Sequence, residues 1–233
     1  MNRVIRMSDL DVLENVHRLI AASTGAGKSY FVGWLVERLY AEKKPFIILD
    51  TKTRNHIGLI GLKGVKLLKI KPGARYDWQK LLEYPYILCI PTLRTRTADL
   101  IEQYTVLIDE IYMAGKERVI IAEEAHEYNK NAFVPNPVLE LVAREGRGRQ
   151  VCLWFITQRI QDFPKLLWSQ CYVTYLFKML IPPDVRYVEQ LIPDFTEINR
   201  KLKKYDALEY QHLSGEYQII PGSNVNRQTK HYG

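Results

Sequence analysis

Nine residues, Ala21-Ala22-Ser23-Thr24-Gly25-Ala26-Gly27-Lys28-Ser29, have the composition and spacing of a loop that wraps phosphate. Backbone N–H groups of such a glycine turn converge on phosphate oxygens, and the start of the following helix adds partial positive charge. Lys28 is placed to reach the terminal phosphates and the Ser29 hydroxyl to join a Mg²⁺ shell. The run Thr24, Gly25, Ala26, Gly27, Lys28, Ser29 and Tyr30 is the expected nucleotide contact. One position departs from the pattern: Ala22 stands where the first glycine is usual.

Two carboxylates come next. Arg118-Val119-Ile120-Ile121-Ala122 has the β-branched makeup of a short strand and delivers Glu123-Glu124-Ala125-His126. A carboxylate at a strand tip can bind Mg²⁺ through its water shell, and a second beside it can orient and polarise an attacking water. Glu123 is assigned to the metal and Glu124 to the water. Aspartate is usual at the first position, so Glu123 is a second departure. An acidic helix cap is the alternative for this pair. His126 has no His or Cys at metal-ligand spacing, and a hydrogen-bonding role suits it better than ligation.

A similar stretch, Val106-Leu107-Ile108-Asp109-Glu110, is a decoy. Leu100, Ile101, Tyr104, Leu107, Ile108, Ile111 and Tyr112 recur at helical spacing. Residues 97–114 therefore read as one amphipathic helix stopped at Gly115, with Asp109 and Glu110 on its surface. Further on, Arg144-Glu145-Gly146-Arg147-Gly148-Arg149 alternates arginine with small or acidic residues. Guanidinium groups fork onto phosphate oxygens, but basic residues also suit a plain helix end. Gln158, after the apolar run 151–156, is an amide at a strand tip that would either sense a phosphate or cap a turn.

The elements that must position these groups alternate. Apolar strands are expected near residues 17–21, 45–50, 86–90, 118–122, 151–156, 172–180 and 217–220, with a short extended run at 65–70. Between them, helices are expected after the glycine loop to about Glu42, over 97–114, from Pro137, over 183–192 and over 196–205. In the first of these helices Phe31, Val32, Trp34, Leu35, Val36 and Leu39 wrap most of the circumference, which predicts burial. Residues 1–15 read as a lead-in with a short helix from Ser8, residues 16–222 as the main domain, and 223–233 as a polar, basic and disordered tail.

The chain has 233 residues, 47% hydrophobic and 25% charged, with a net charge of +7. That suffices for one α/β domain with a covered core. Between Lys43 and Lys80 there are ten Lys or Arg against two acids, Asp50 and Asp77. This excess fits a polyanion partner or a solvated face equally. Cys89, Cys152 and Cys171 lie apart in apolar runs and read as buried thiols in a reducing compartment. No run approaches a membrane span and no signal-peptide core opens the chain, so a cytoplasmic location is expected.

In order along residues 17–222, these motifs resemble the FtsK/HerA superfamily of DNA-pumping ATPases, above all the small genome-packaging ATPases of viruses. The blocks are Thr24 to Ser29, the strand Phe46 to Asp50 with Lys52, Glu123 to His126, Arg144 to Arg147, Thr157-Gln158-Arg159, and Gly215-Glu216-Tyr217 to Gly222. The resemblance implies a RecA-like P-loop NTPase of the additional-strand, catalytic-glutamate type, with a mostly parallel central sheet flanked by helices and one strand between the P-loop and metal strands. It implies ATP and Mg²⁺ as cofactors and hydrolysis of ATP coupled to movement of DNA, double-stranded and bound without sequence preference, through a ring, usually a hexamer. It makes Arg147, or Arg144, the arginine that reaches a neighbour's nucleotide, and Gln158 the sensor. Lys52 and Arg54 become candidates for the DNA backbone, and a capsid or portal-like viral component a docking partner, in a host cytoplasm. The rival expectations are an assembly ATPase of the same superfamily that helps extrude filamentous virus particles, a viral nucleotide-binding interaction module with weak or no hydrolysis or DNA pumping, and a small-molecule kinase, for which no second-substrate lid is seen.

Overall fold

A computed structural model describes residues 15–232 of the chain; the helix expected from Ser8 lies outside them. The first strand, β1 (Arg18–Ala21), runs into the glycine loop and α1 (Lys28–Ala41). There follow β2 (Phe46–Leu49), β3 (Val65–Ile70), α2 (Trp78–Leu81), β4 (Tyr86–Pro91), α3 (Thr97–Ala114), β5 (Arg118–Ala122) and α4 (Pro137–Glu145). The chain closes with β6 (Val151–Thr157), α5 (Lys165–Ser169), β7 (Val173–Phe177), α6 (Pro182–Glu189), α7 (Phe195–Lys201), β8 (Ala207–Gln211) and β9 (Tyr217–Ile220).

The strands form one nine-stranded sheet in the order β3-β4-β2-β5-β6-β1-β7-β8-β9. β3 through β7 pair in parallel, and β8 and β9 add an antiparallel edge. The sheet is thus mostly parallel, with β6 inserted between the P-loop strand β1 and the acidic strand β5. The register puts Ala21 beside Thr157, and Leu49 beside Ala122. The carboxyl ends of β1, β2, β5 and β6 therefore lie along one edge, where ligands of parallel sheets collect.

Local chemistry explains the element ends. Gly115 closes α3 in the left-handed region at φ 59°, the cap expected of a glycine. At the start of α4, Asn136 accepts the N–H groups of Val138 and Leu139 at 2.9 and 3.4 Å, with Pro137 in the first turn. Buried apolar residues pack on both faces of the sheet. One face carries α1, and the other carries α3 and α4 with Leu107, Ile111, Leu139 and Val142 against the strands.

Two of the differences from the sequence expectation concern β8 and the C-terminal run. β8 was not anticipated, because Ala207-Leu208-Glu209-Tyr210 carries a buried acid in place of a clean alternation. The polar C-terminal run is not a disordered tail. Glu37 on α1 accepts the backbone N–H groups of Gln228 and Thr229, each at 2.7 Å, and the Thr229 hydroxyl at 2.6 Å. This strap covers the outer side of α1, which explains why that helix is apolar nearly all round.

Candidate functional site

The glycine loop spans residues 22–27. Gly25 and Gly27 have φ of 78° and 93°, a region that only glycine adopts freely, so their identity is set by the backbone. Ala22 is absent from the positive-φ residues, is buried, and donates its N–H to the Thr157 carbonyl at 3.2 Å. Its methyl group faces no backbone penalty, so this departure from the motif leaves the loop geometry intact. Lys28, Ser29 and Tyr30 follow in the first turn of α1 and, with Thr24, Gly25 and Gly27, line a cavity of about 670 Å³.

The two acids at the tip of β5 have different environments. Glu123 is fully buried between two cations or donors: Lys28 Nζ donates to its Oε2 at 3.5 Å, and His56 Nε2 lies 2.6 Å from its Oε1. Burial would push the Glu123 carboxyl up, but the Lys28 ammonium and the His56 hydrogen bond outweigh it and hold the group down at about 2. Asp50, at the end of β2, moves the other way. Burial, opposed by His56 and reinforced by the Glu123 charge, raises it to about 6.

Glu124 sits in the left-handed region at φ 49° and ψ 48°, a costly conformation for a side-chain-bearing residue and one that clusters at functional sites. Its Oε1 accepts from Lys52 Nζ at 3.2 Å and from Gln158 Nε2 at 2.5 Å. Gln158 Oε1 in turn accepts the Thr24 hydroxyl at 2.6 Å. A continuous relay thus joins the glycine loop to Glu124 through Gln158. Glu124 Oε2 is buried without a hydrogen-bond partner, an open acceptor at the strand tip. His126 Nδ1 lies 3.0 Å from the Thr157 hydroxyl and 3.7 Å from Glu124 Oε2, a supporting hydrogen-bond position.

The expected arginines are not at this edge. Arg144 pairs with Glu140 one turn earlier at 2.8 Å, and Arg147 stacks on Tyr172 at 4.9 Å. Both precede β6, whose far end carries Gln158, so the seven-residue strand separates them from the chain's own glycine loop by about 20 Å. Lys52, itself exposed, lines this cavity beside Glu124, and Arg54, exposed two residues on, does not line it. His56 was missed by the sequence reading; it lies in the glycine- and lysine-rich region after β2, with no motif around it, and only the fold brings it to Glu123.

The donor set suits Mg²⁺: a serine hydroxyl and an ionised carboxylate, both hard oxygen ligands. Both Glu123 oxygens are engaged by Lys28 and His56, which fits contact through a metal-bound water. Among the described residues no cluster of three His, Cys, Asp or Glu is arranged as a protein-only metal cage, and no helix is long and apolar enough to cross a membrane.

Residues 6–110 match the family model described as Helicase HerA, central domain. No curated protein matches the chain. Among solved structures, the genome packaging NTPase B204 from Sulfolobus turreted icosahedral virus 2, in complex with ATP-gammaS, is similar at a TM-score of 0.71 and 18% identity, over 90% of this chain and 98% of that one. VirB4 of Thermoanaerobacter pseudethanolicus is similar at 0.65 and 12% identity, over 88% of each chain. The bacterial conjugative coupling protein TrwBdeltaN70 is similar at 0.65 and 11% identity, over 89% and 85%. The resemblance stated from the motifs is the one the comparisons find, in the family model and in the fold.

Proposed function

We propose that this chain, whose P-loop fold is of the HerA/FtsK kind, is a Mg²⁺-dependent ATPase that drives DNA through a ring of its own copies, as a viral genome-packaging motor. The observation that carries the reading is the split of the site. The phosphate loop, Glu123, Glu124 and Gln158 stand at one sheet edge and the arginine block at the other. One copy therefore holds every group for hydrolysis except an arginine, and a head-to-tail neighbour would supply it.

In this reading water attacks the γ-phosphorus, the bond to the bridging oxygen breaks, and ADP and phosphate leave. Glu124 Oε2 takes the water proton, while Lys52 and Gln158 hold the carboxylate in place. Lys28 neutralises the terminal phosphates, and Arg147 of the next copy offsets charge at the transferring group, an effect worth roughly 10³-fold or more in rate. When bound, Mg²⁺ would be held by Ser29 and, through water, Glu123, and would offset phosphate charge.

DNA as the cargo is supported by similarity to a genome packaging NTPase and a conjugative coupling protein. Of the two basic candidates, Arg54 is the better DNA contact, since Lys52 is engaged by Glu124. Contacts of this kind bind phosphates without regard to sequence and weaken with salt. A hexameric ring, a capsid or portal-like dock and work in the host cytoplasm complete the proposal. ATP turnover measured against protein concentration, with and without linear double-stranded DNA at low salt, tests it. Turnover that rises steeply with concentration and with DNA is expected. Flat, DNA-independent turnover would overturn the motor, and ATP binding without turnover would favour a nucleotide-binding assembly module.

A further inference from the structure

The nucleotide cavity continues beyond the phosphate loop. Past Lys28 and Ser29 its walls are Tyr30, Phe177, Tyr205, Val225 and His231, an aromatic and apolar end next to a polar one. Tyr205 is held there by unusual means. Its φ of 71° is left-handed, a strained state for a tyrosine, and its side chain remains about half exposed at 49%. Two glycines make room for it. A Cβ on Gly27, inside the phosphate loop, would come within 2.9 Å of the Tyr205 ring, and a Cβ on Gly222 would lie 2.8 Å from Tyr205 Cβ.

The C-terminal strap contributes to the same walls. Besides the Glu37 anchors, the Arg227 N–H donates to the Tyr30 hydroxyl at 3.2 Å, and the His231 ring meets the Tyr30 ring edge-on at 5.6 Å. Glycines again clear its path: a Cβ on Gly58 would lie 1.8 Å from the Lys230 carbonyl, and one on Gly33 would lie 2.4 Å from the Arg227 guanidinium. The strap is thus seated on the helix that starts at the phosphates, and it ends at the cavity rim.

We propose that Tyr205, Tyr30 and the strap residues Val225 and His231 form the nucleobase seat of this site. A planar base offers a π face that an aromatic wall stacks on, while the triphosphate occupies the glycine loop. Affinity then divides by position, the loop gripping phosphate and the Tyr205 end gripping the base. This rests on the nucleotide-binding part of the proposed function and needs neither DNA nor the ring.

The test is binding of Mg-ATP and of Mg-tripolyphosphate, which lacks base and sugar, to the full chain and its variants. Tyr205→Ala is expected to raise the Kd for ATP about tenfold and to leave that for tripolyphosphate unchanged. Tyr205→Phe, which keeps the ring, should bind both as the unaltered chain does. Glu37→Ala, which frees the strap without touching the cavity wall, should weaken ATP selectively as well. The inference is overturned if both Tyr205→Ala and Glu37→Ala bind ATP normally, or if they weaken tripolyphosphate as much as ATP. Absence of DNA-stimulated turnover alongside selective loss of ATP binding would overturn the motor and leave the base seat standing.

Discussion

Under the proposed function, Glu124 is the residue on which hydrolysis would depend most. Its Oε2 is buried without a hydrogen bond, 3.7 Å from His126 Nδ1, while Oε1 is fixed by Lys52 and Gln158, so one oxygen is restrained and the other is free to accept a proton. Glu124→Gln keeps the shape and removes the base. We expect turnover to fall roughly 10²- to 10⁴-fold with ATP affinity retained, measured as steady-state hydrolysis beside nucleotide binding. Unchanged turnover would remove Glu124 from the reaction. At this scale the sequence was most informative where residue type is dictated by chemistry. Gly25, Gly27, Lys28 and the two glutamates announce themselves because few other side chains do their work. Lys52 and His56 could not be placed that way. A lysine in a basic stretch looks like a DNA contact, and a lone histidine looks like filler, until the fold sets one beside Glu124 and the other beside Glu123.

The elements carry their own titration. His17 precedes β1, is fully buried, and accepts the Leu153 N–H through Nδ1 at 2.9 Å. Burial, aided by the Arg147 charge, pushes its imidazole down to about 4 from 6.5. An unfolded chain takes up this proton below about pH 6.5 and the folded one only near 4. The stability it supports is therefore present above pH 6.5 and is lost as pH falls toward 4, by about 3 kcal/mol in all. The raised Asp50 opposes this, because the folded state takes up its proton first as pH falls through about 6. The contribution is isolated by a variant. His17→Gln should lose less stability than the unaltered chain between pH 6.5 and 4, read as urea midpoints, and parallel curves would contradict the assignment. Helix α3 shows why some elements were readable: seven apolar residues at helical spacing and a glycine stop outvote the strand-like Val106 to Ile108. β8 had no such pattern, and the strap's order comes from Glu37, nearly two hundred positions earlier in the chain.

In the whole assembly, the proposed function requires that each site be shared between two copies. The parallel sheet separates the glycine loop from the arginine block by the length of a strand, so an Arg147 that acts on bound nucleotide would do so at another copy's loop. The motifs named both the glycine loop and the arginine block, but the sequence could not say that they lie at opposite edges, because that follows from the parallel pairing of β1 with β6. Mixing two inactive variants reads this out. Lys28→Ala lacks a working loop and keeps Arg147; Arg147→Ala keeps the loop and lacks the arginine. In a random equal mixture, about a quarter of interfaces join an intact loop to an intact arginine, as expected for head-to-tail contacts. DNA-stimulated turnover is expected to return on mixing to about that fraction of the unaltered level, while each variant alone stays near zero. A mixture no more active than its two components would contradict a site completed in trans.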